Sequence, residues 1–290
     1  MKYGVKATLK RTKEELKLAG YSRATVRTYH SAIRRFLLHA SKPGNRLTHD
    51  DVRRYMLDMT EAGYSSSSIN QHHFAIRFLF QKVFKKKAWR MELRLHKRPK
   101  KVPVVLAREE VDKLLEAATD LRYQTIWMTL YSSGLRLSEA ARLRVTDIDS
   151  KAMQILVCNG KGRKERYTVL SRSLLEQLRT YYRVYRPDEW LFYGRDRQHP
   201  PDLRTLQRTF KEDKNRAGIR KRATPHSLRH SFATHSMEDG ANLLYIRDML
   251  GHRAIQSTLV YLKVTSEGIS RLVNPLDRLL QVDPEEGPSR

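Results

Sequence analysis

The chain has 290 residues, 57 of them Lys or Arg and 31 Asp or Glu, for a formal net charge of +26, and 40% are hydrophobic. That apolar content is enough for ordinary cores and excludes a disordered polymer, while the length suits about two domains. A charge excess of this size destabilises a compact state by self-repulsion unless a polyanion neutralises it, which leaves nucleic acid, an anionic membrane surface, or a generally sticky basic protein.

No apolar run approaches the ~20 residues that a spanning helix needs, and the lysine-rich start has no apolar stretch behind it, so no secretory signal is expected. The single cysteine, Cys158, excludes an intramolecular disulfide and fits a reducing cytoplasm. The expectation is a cytoplasmic nucleic-acid binder with no membrane contact.

The first ninety residues read as helices alone. From Ser22, a capping residue, Val26, Tyr29, Ile33, Phe36, Leu37 and Ala40 form a helical stripe that ends at Lys42-Pro43-Gly44. Thr48 with Asp51 opens a second helix carrying Val52, Tyr55, Met56 and Met59, which Gly63 ends. The serine run from Ser65 leads into a third, with Ile69, Ile76, Leu79 and Val83. A weaker stripe near Thr12–Leu18 makes a bundle of four.

Residues 85–101 hold nine Lys or Arg, and Pro103 soon after disfavours a helix. The run reads as a domain linker, either a solvated connector or a strap along a nucleic-acid backbone. Lys85, Lys86, Lys87, Lys100 and Lys101 are its candidate DNA contacts. From Arg108 the pattern is mixed. Val111, Leu114, Leu115 and Ala118 form a helical stripe, and Ile126 to Tyr131 a buried helix. Met153, Ile155 and Val157 alternate, as do Tyr167 and Val169, around Asn159-Gly160-Lys161-Gly162, which predicts a β-hairpin. Helices are expected through Leu174–Tyr182, Leu203–Phe210, His226–Ser236, Leu243–Leu250 and Ile255–Leu262, with a polar tail from Asp283.

Five features could carry chemistry, and each has a plain structural explanation. Arg136 follows a buried helix, where an arginine is usually a surface residue. Lys161 lies at a basic hairpin tip beside Arg163, Lys164 and Arg166, where solvated turns are common. His226 and Arg229 share a helix face, but a lone histidine there more often caps or packs. His230 and His235 nearby suggest zinc, yet no His-Glu-x-x-His pattern exists and the cysteine is remote; no metal is expected. His252 follows Gly251, a plausible helix end. Tyr261 is one of 14 tyrosines.

Taken together and in order, these features resemble the tyrosine recombinase (lambda-integrase type) family. The matching text is YSSGLRLSEAARL, NGKGRKER, TPHSLRHSFATH, LGHRAIQST and the tyrosine nine residues after His252. The resemblance implies that Arg136 and Arg229 are the arginine pair, Lys161 the hairpin lysine, and His226 and His252 the two histidines. It makes Tyr261 the nucleophile and Glu139 the acidic residue of the first arginine's box. Arg253-Ala254 and Leu262-Lys263 depart from the common Ser-Asp and Thr-His, sparing the chemical positions.

The residue types suit that reaction. Attack of a tyrosine hydroxyl on a phosphodiester builds charge on the non-bridging oxygens, which two permanently charged arginines can clamp. A phenol with a free pKa near ~10 profits from a base such as His226. The leaving 5′ oxygen needs an acid, which Lys161 could be, and His252 can donate to the phosphate. Glu139 would orient these groups. The phosphotyrosine linkage conserves the free energy of the phosphodiester, so no cofactor is expected, in keeping with the lack of a phosphate-cradling G-x-x-x-x-G-K-[ST] loop.

The implied fold has two domains: an all-α DNA-binding bundle over 1–88, a basic linker over 89–106, and a mixed α/β, mainly helical catalytic domain with a small antiparallel sheet over 107–274. Residues 275–290 form a C-terminal helix and tail that either folds back or passes to a neighbouring subunit. The implied activity is site-specific DNA strand exchange through a 3′-phosphotyrosine and a Holliday junction, as a homo-tetramer on duplex DNA with paired half-sites. A sister recombinase or accessory protein is left open. The linker and Asn274-Pro275-Leu276-Asp277 look like integron integrases, but residues 194–223 leave no room for their extra helical insert. A mobile-element integrase of Xer-like size is therefore favoured, with a chromosome or plasmid dimer resolvase next. A type IB topoisomerase and a non-catalytic DNA-binding regulator are the rivals from other classes.

Overall fold

Helix starts in the N-terminal region follow their capping residues. Ser22 Oγ accepts from Thr25 N–H at 3.2 Å to open α2 (Arg23–Ala40), and Ser65 Oγ accepts from Ser68 N–H at 3.2 Å to open α4 (Ser66–Phe78). Thr48 and Asp51 form a reciprocal capping box at the head of α3 (His49–Glu61), with Lys42 paired to the same carboxylate at 2.7 Å. The computed structural model describes residues 4–86, 95–96, 102–158, 165–251 and 258, and residues 1–100 and 101–290 form two compact units.

In the first unit α1 (Val5–Leu18) packs on α2, and α2 packs on α3 and α4. Leu16, Ile33, Phe36, Leu37, Ile76 and Phe80 are fully buried at their shared core. The weak stripe near Thr12 belongs to a helix that begins earlier, at Val5. Its amphipathic signal is diluted because Thr8 and Thr12 take core positions, where Thr12 Oγ1 donates to the Thr8 carbonyl at 2.8 Å. α4 runs on through a π-helical stretch, Leu79–Val83, which still buries Leu79, Phe80 and Val83.

The second unit is built round α6 (Leu121–Ser133), which packs against α5 (Arg108–Ala117), α8 (Arg172–Tyr185), α9 (Leu203–Arg216) and α10 (Pro225–Glu238). Trp127 of α6 is fully buried and donates its indole N–H to Asp213 of α9 at 2.8 Å. Among the described residues the remaining α-helices of this unit are short, α7 (Leu137–Ala140) and α11 (Leu243–Leu250). Three antiparallel strands, β1 (Ile148–Asp149), β2 (Gln154–Val157) and β3 (Arg166–Val169), make one small sheet with Ile155 opposite Thr168. The architecture is mainly helical with a small antiparallel sheet, as the sequence implies.

The sheet corrects one expectation. Tyr167 and Val169 alternate as foreseen but are 59% and 38% exposed, and Met153 lies in the turn before β2 with φ of 54°. The inward face of β3 is polar instead. Thr168 donates to the Ser133 carbonyl at 2.8 Å, and Arg166 reaches the arginine cluster described below. Hydrogen bonds, not hydrophobic burial, choose which side of this strand turns in. The turn expected over 159–164, the helix expected over Ile255–Leu262 (apart from Thr258) and the C-terminal segment 275–290 lie outside the described residues. No helix among the described residues is long and apolar enough to cross a membrane.

Candidate active site

α6 ends at Gly134, whose φ of 62° is left-handed. A Cβ there would stand 2.5 Å from Phe232 of α10 and 2.8 Å from Leu250 of α11, so only glycine lets the three helices meet. Two residues on, Arg136 heads α7. Glu139, one turn later, folds back and accepts the Arg136 backbone N–H at 2.9 Å.

Glu139 is the centre of the site. Its carboxylate accepts from Arg136 Nη1 at 2.6 Å and from Arg166 Nη1 and Nη2 at 3.2 and 2.8 Å, and Arg229 Nη1 lies 3.9 Å away. Burial works to raise its pKa, but the hydrogen bonds and positive charges of Arg166 and Arg136 outweigh it and hold the carboxyl at about 2. Three guanidiniums surround one carboxylate, so the cluster keeps an excess of positive charge.

Arg229 is 1% exposed. It leaves α10 inward, donating Nη1 to the Gly134 carbonyl at 2.6 Å and Nη2 to the Leu250 carbonyl at 2.7 Å. These carbonyls belong to the C-terminal ends of α6 and α11, where helix dipoles favour a cation. A buried charge is tolerated because it is fixed by hydrogen bonds and near a carboxylate. Arg136 is less enclosed, with its side chain 28% exposed.

His226 sits in the first turn of α10 and is exposed to a cleft of 520 Å³ that Arg136, Ser138, Gln207, Lys211 and Thr224 also line. Loss of hydration where the ring meets protein, then the charges of Arg229 and Arg136, lower its pKa, with Glu139 opposing. It is therefore neutral at neutral pH, the state in which it can take a proton. His226 and Arg229 share a helix, but one faces the cleft and the other the interior. His235 is not near a metal-like group; it is buried and paired with the Tyr131 hydroxyl at 2.8 Å. Among the described residues no group of His, Cys, Asp or Glu could hold a metal ion.

The site thus unites Arg136, Glu139, Arg229 and His226. Lys161, Arg163, Lys164, His252 and Tyr261 lie outside the described residues, as do Lys87, Lys100 and Lys101. Lys85 and Lys86 are exposed just after the π-helical stretch, Lys86 resting its ammonium 5.7 Å from the centre of the Phe80 ring. Sequence reading passed over Arg166, counting it only among the basic neighbours of the hairpin tip. The signal was its register. Ile155 and Val157 face the core, and their antiparallel partners Thr168 and Arg166 must face the same way.

A model of the phage integrase family matches residues 104–267, and one of the N-terminal SAM-like domain of phage integrases matches residues 8–89. The chain belongs to the phage integrase family. A Sinorhizobium fredii protein named as an integrase/recombinase is 35% identical over 282 residues, covering 97% of this chain and 92% of the relative. Tyrosine recombinase XerA of Thermococcus onnurineus is 36% identical over 262 residues, covering 88% of this chain and 90% of its own. The fold is also that of a lambda integrase tetramer solved on a Holliday junction, with a TM-score of 0.73, 17% identity, and cover of 89% of this chain and 76% of that one. This integrase is a site-specific tyrosine recombinase of the Xer-like branch, an enzyme that breaks and rejoins DNA.

Proposed function

We propose that Arg136 and Arg229 hold the scissile phosphate of duplex DNA while Tyr261 attacks it. The bond between phosphorus and the 5′ oxygen breaks as the bond to the tyrosine oxygen forms. The phenol proton passes to His226, and Lys161 protonates the departing 5′ oxygen. His252 donates to a non-bridging oxygen, and Glu139 orients the arginines. The 5′ hydroxyl of a partner strand then reverses the step, so the energy of the phosphodiester is kept and no cofactor is needed. The observation that carries this reading is the carboxylate-centred cluster of buried and half-buried guanidiniums at the edge of a cleft that His226 lines. It matches the charge that develops on a pentavalent phosphate.

In the same reading residues 1–88 clamp the DNA and 89–106 form a basic linker, with Lys85, Lys86 and Lys87 at the end of the clamp and Lys100 and Lys101 in the linker meeting phosphates, while 107–274 are catalytic, with Arg163 and Lys164 on the hairpin also touching DNA. Segment 275–290 passes to a neighbouring protomer. The substrate is a pair of sites, each with two half-sites, held by a homo-tetramer in the cytoplasm, with a sister recombinase or accessory protein as an optional partner. The tetramer on a Holliday junction seen for lambda integrase supports that assembly. A mobile-element integrase is favoured over an Xer-type dimer resolvase, since a relative named integrase/recombinase covers nearly the whole chain.

Sequencing the protein-linked 3′ DNA ends in cells that express the integrase tests this directly. Recurrent ends at one short inverted-repeat sequence are the expected result. Adducts scattered without sequence preference would instead mark a topoisomerase-like enzyme.

A further inference from the structure

Arg166 joins three parts of the site that the sequence keeps far apart. It stands on β3, five residues past Lys161, with its side chain 14% exposed. Its two terminal nitrogens grip both oxygens of Glu139, at 3.2 and 2.8 Å, and its Nε donates to the Met249 carbonyl at 2.8 Å near the end of α11. Its aliphatic stem crosses Gly251, the residue before His252. A Cβ on Gly251 would lie 2.9 Å from Arg166 Cδ and 3.0 Å from Nε, and the glycine's φ of 63° is itself left-handed. The glycine is thus needed twice, for its backbone and for the arginine that passes over it.

The geometry has a chemical consequence. A carboxylate bonded to Arg136 alone could swivel, and it would neutralise the guanidinium meant for the phosphate. A second, two-pronged guanidinium fixes the carboxylate plane and takes up part of its charge. Arg136 then keeps a defined angle and remains an effective cation. Lysine, with one compact charge, could not grip both oxygens and the Met249 carbonyl together.

We propose that Arg166 is a positioning residue for DNA cleavage, setting Arg136 through Glu139 and tying the hairpin strand to the end of α11 that leads into His252. This rests on the proposed role of Arg136 at the phosphate.

The test uses full-length protein and a nicked suicide half-site taken from the mapped protein-linked ends. Arg166→Ala, Arg166→Lys and Gly251→Ala are compared with wild type and with Leu114→Ala, a core change in α5. Half-site Kd is read by gel shift and cleavage by single-turnover adduct formation at saturating protein. Each rate is also measured with Rp and Sp phosphorothioates at the scissile phosphate, whose rate ratio reports how the arginines meet the two non-bridging oxygens. For the three site variants we expect unchanged Kd, cleavage lower by about 10²-fold, and a ratio moved toward one. Leu114→Ala is expected to keep the wild-type ratio whatever its stability. Wild-type cleavage in Arg166→Ala would overturn the proposal. So would a rate loss with the ratio intact, which marks a purely structural role. Failure of the underlying reading looks different: wild-type protein itself would form no adduct, and both would fall.

Discussion

Replacing Glu139 by Gln keeps the shape of the side chain and removes the one negative charge among Arg136, Arg166 and Arg229. A carboxyl that ordinarily titrates near 4.5 and here at about 2 stabilises the fold by about 3 kcal/mol at neutral pH. Glu139 is 6% exposed on its side chain, so water screens little of this. The sign follows from the depressed pKa. The contribution is complete above pH 4.5 and is lost as pH falls toward 2, leaving about 2 kcal/mol at pH 3.5 and under about 1 kcal/mol at pH 2.5. At pH 7, Glu139→Gln should therefore lower the stability of the catalytic unit by about 3 kcal/mol, or Tm by roughly 6–12 °C for a unit of this size. Urea unfolding of both proteins at several pH values checks it, with the two curves converging as the medium becomes acidic. A loss below about 0.5 kcal/mol, the level of an ordinary surface change, would refute the account of the cluster. So would a gap that does not narrow with pH.

Three further outcomes are expected. His72 is buried beside the Tyr55 hydroxyl at 2.8 Å, and burial, then the charge of Arg35, lowers its pKa from 6.5 to about 4. It is neutral in the folded state, so the helical unit should lose stability between pH 6.5 and 4, and His72→Gln should flatten that slope in amide exchange of α4. Lys161→Ala should cleave ordinary DNA slowly and recover on a substrate with a 5′ bridging sulfur, which leaves without an acid; equal defects on both would remove the acid role. Changing Lys85, Lys86, Lys87, Lys100 and Lys101 to Gln should flatten log affinity against log salt by roughly 0.9 for each phosphate that the protein no longer neutralises, whereas an unchanged slope would make them solvated lysines.

The helices were legible because their signals are local. Ser22, Thr48 and Ser65 each announce a start within three residues, and Gly63 and Gly251 announce stops. The motif residues Arg136, Glu139, His226 and Arg229 were legible from their text, and the fold brings them to one place. The centrality of Glu139 was not, since a carboxylate becomes a hub only when arginines from α7, β3 and α10 converge on it. Arg166 was missed for the same reason: a basic residue beside a basic hairpin looks solvated until its register is known. β1 escaped because two residues carry no alternation, and the inward face of β3 was misread because its own inward residues, Arg166 and Thr168, are polar. Long-range hydrogen bonding leaves little trace in composition or period.

The central claim is that Tyr261 becomes covalently joined to a 3′ phosphate. It is tested by incubating wild-type and Tyr261→Phe protein with a nicked suicide substrate, trapping the adduct in denaturant and sequencing the DNA-linked peptide by mass spectrometry. The expected result is a phosphotyrosine at Tyr261 in the wild type, with Tyr261→Phe binding the same DNA and forming no adduct. A persistent adduct in Tyr261→Phe, or a wild-type linkage on another residue such as the exposed Tyr245 of α11, would contradict it.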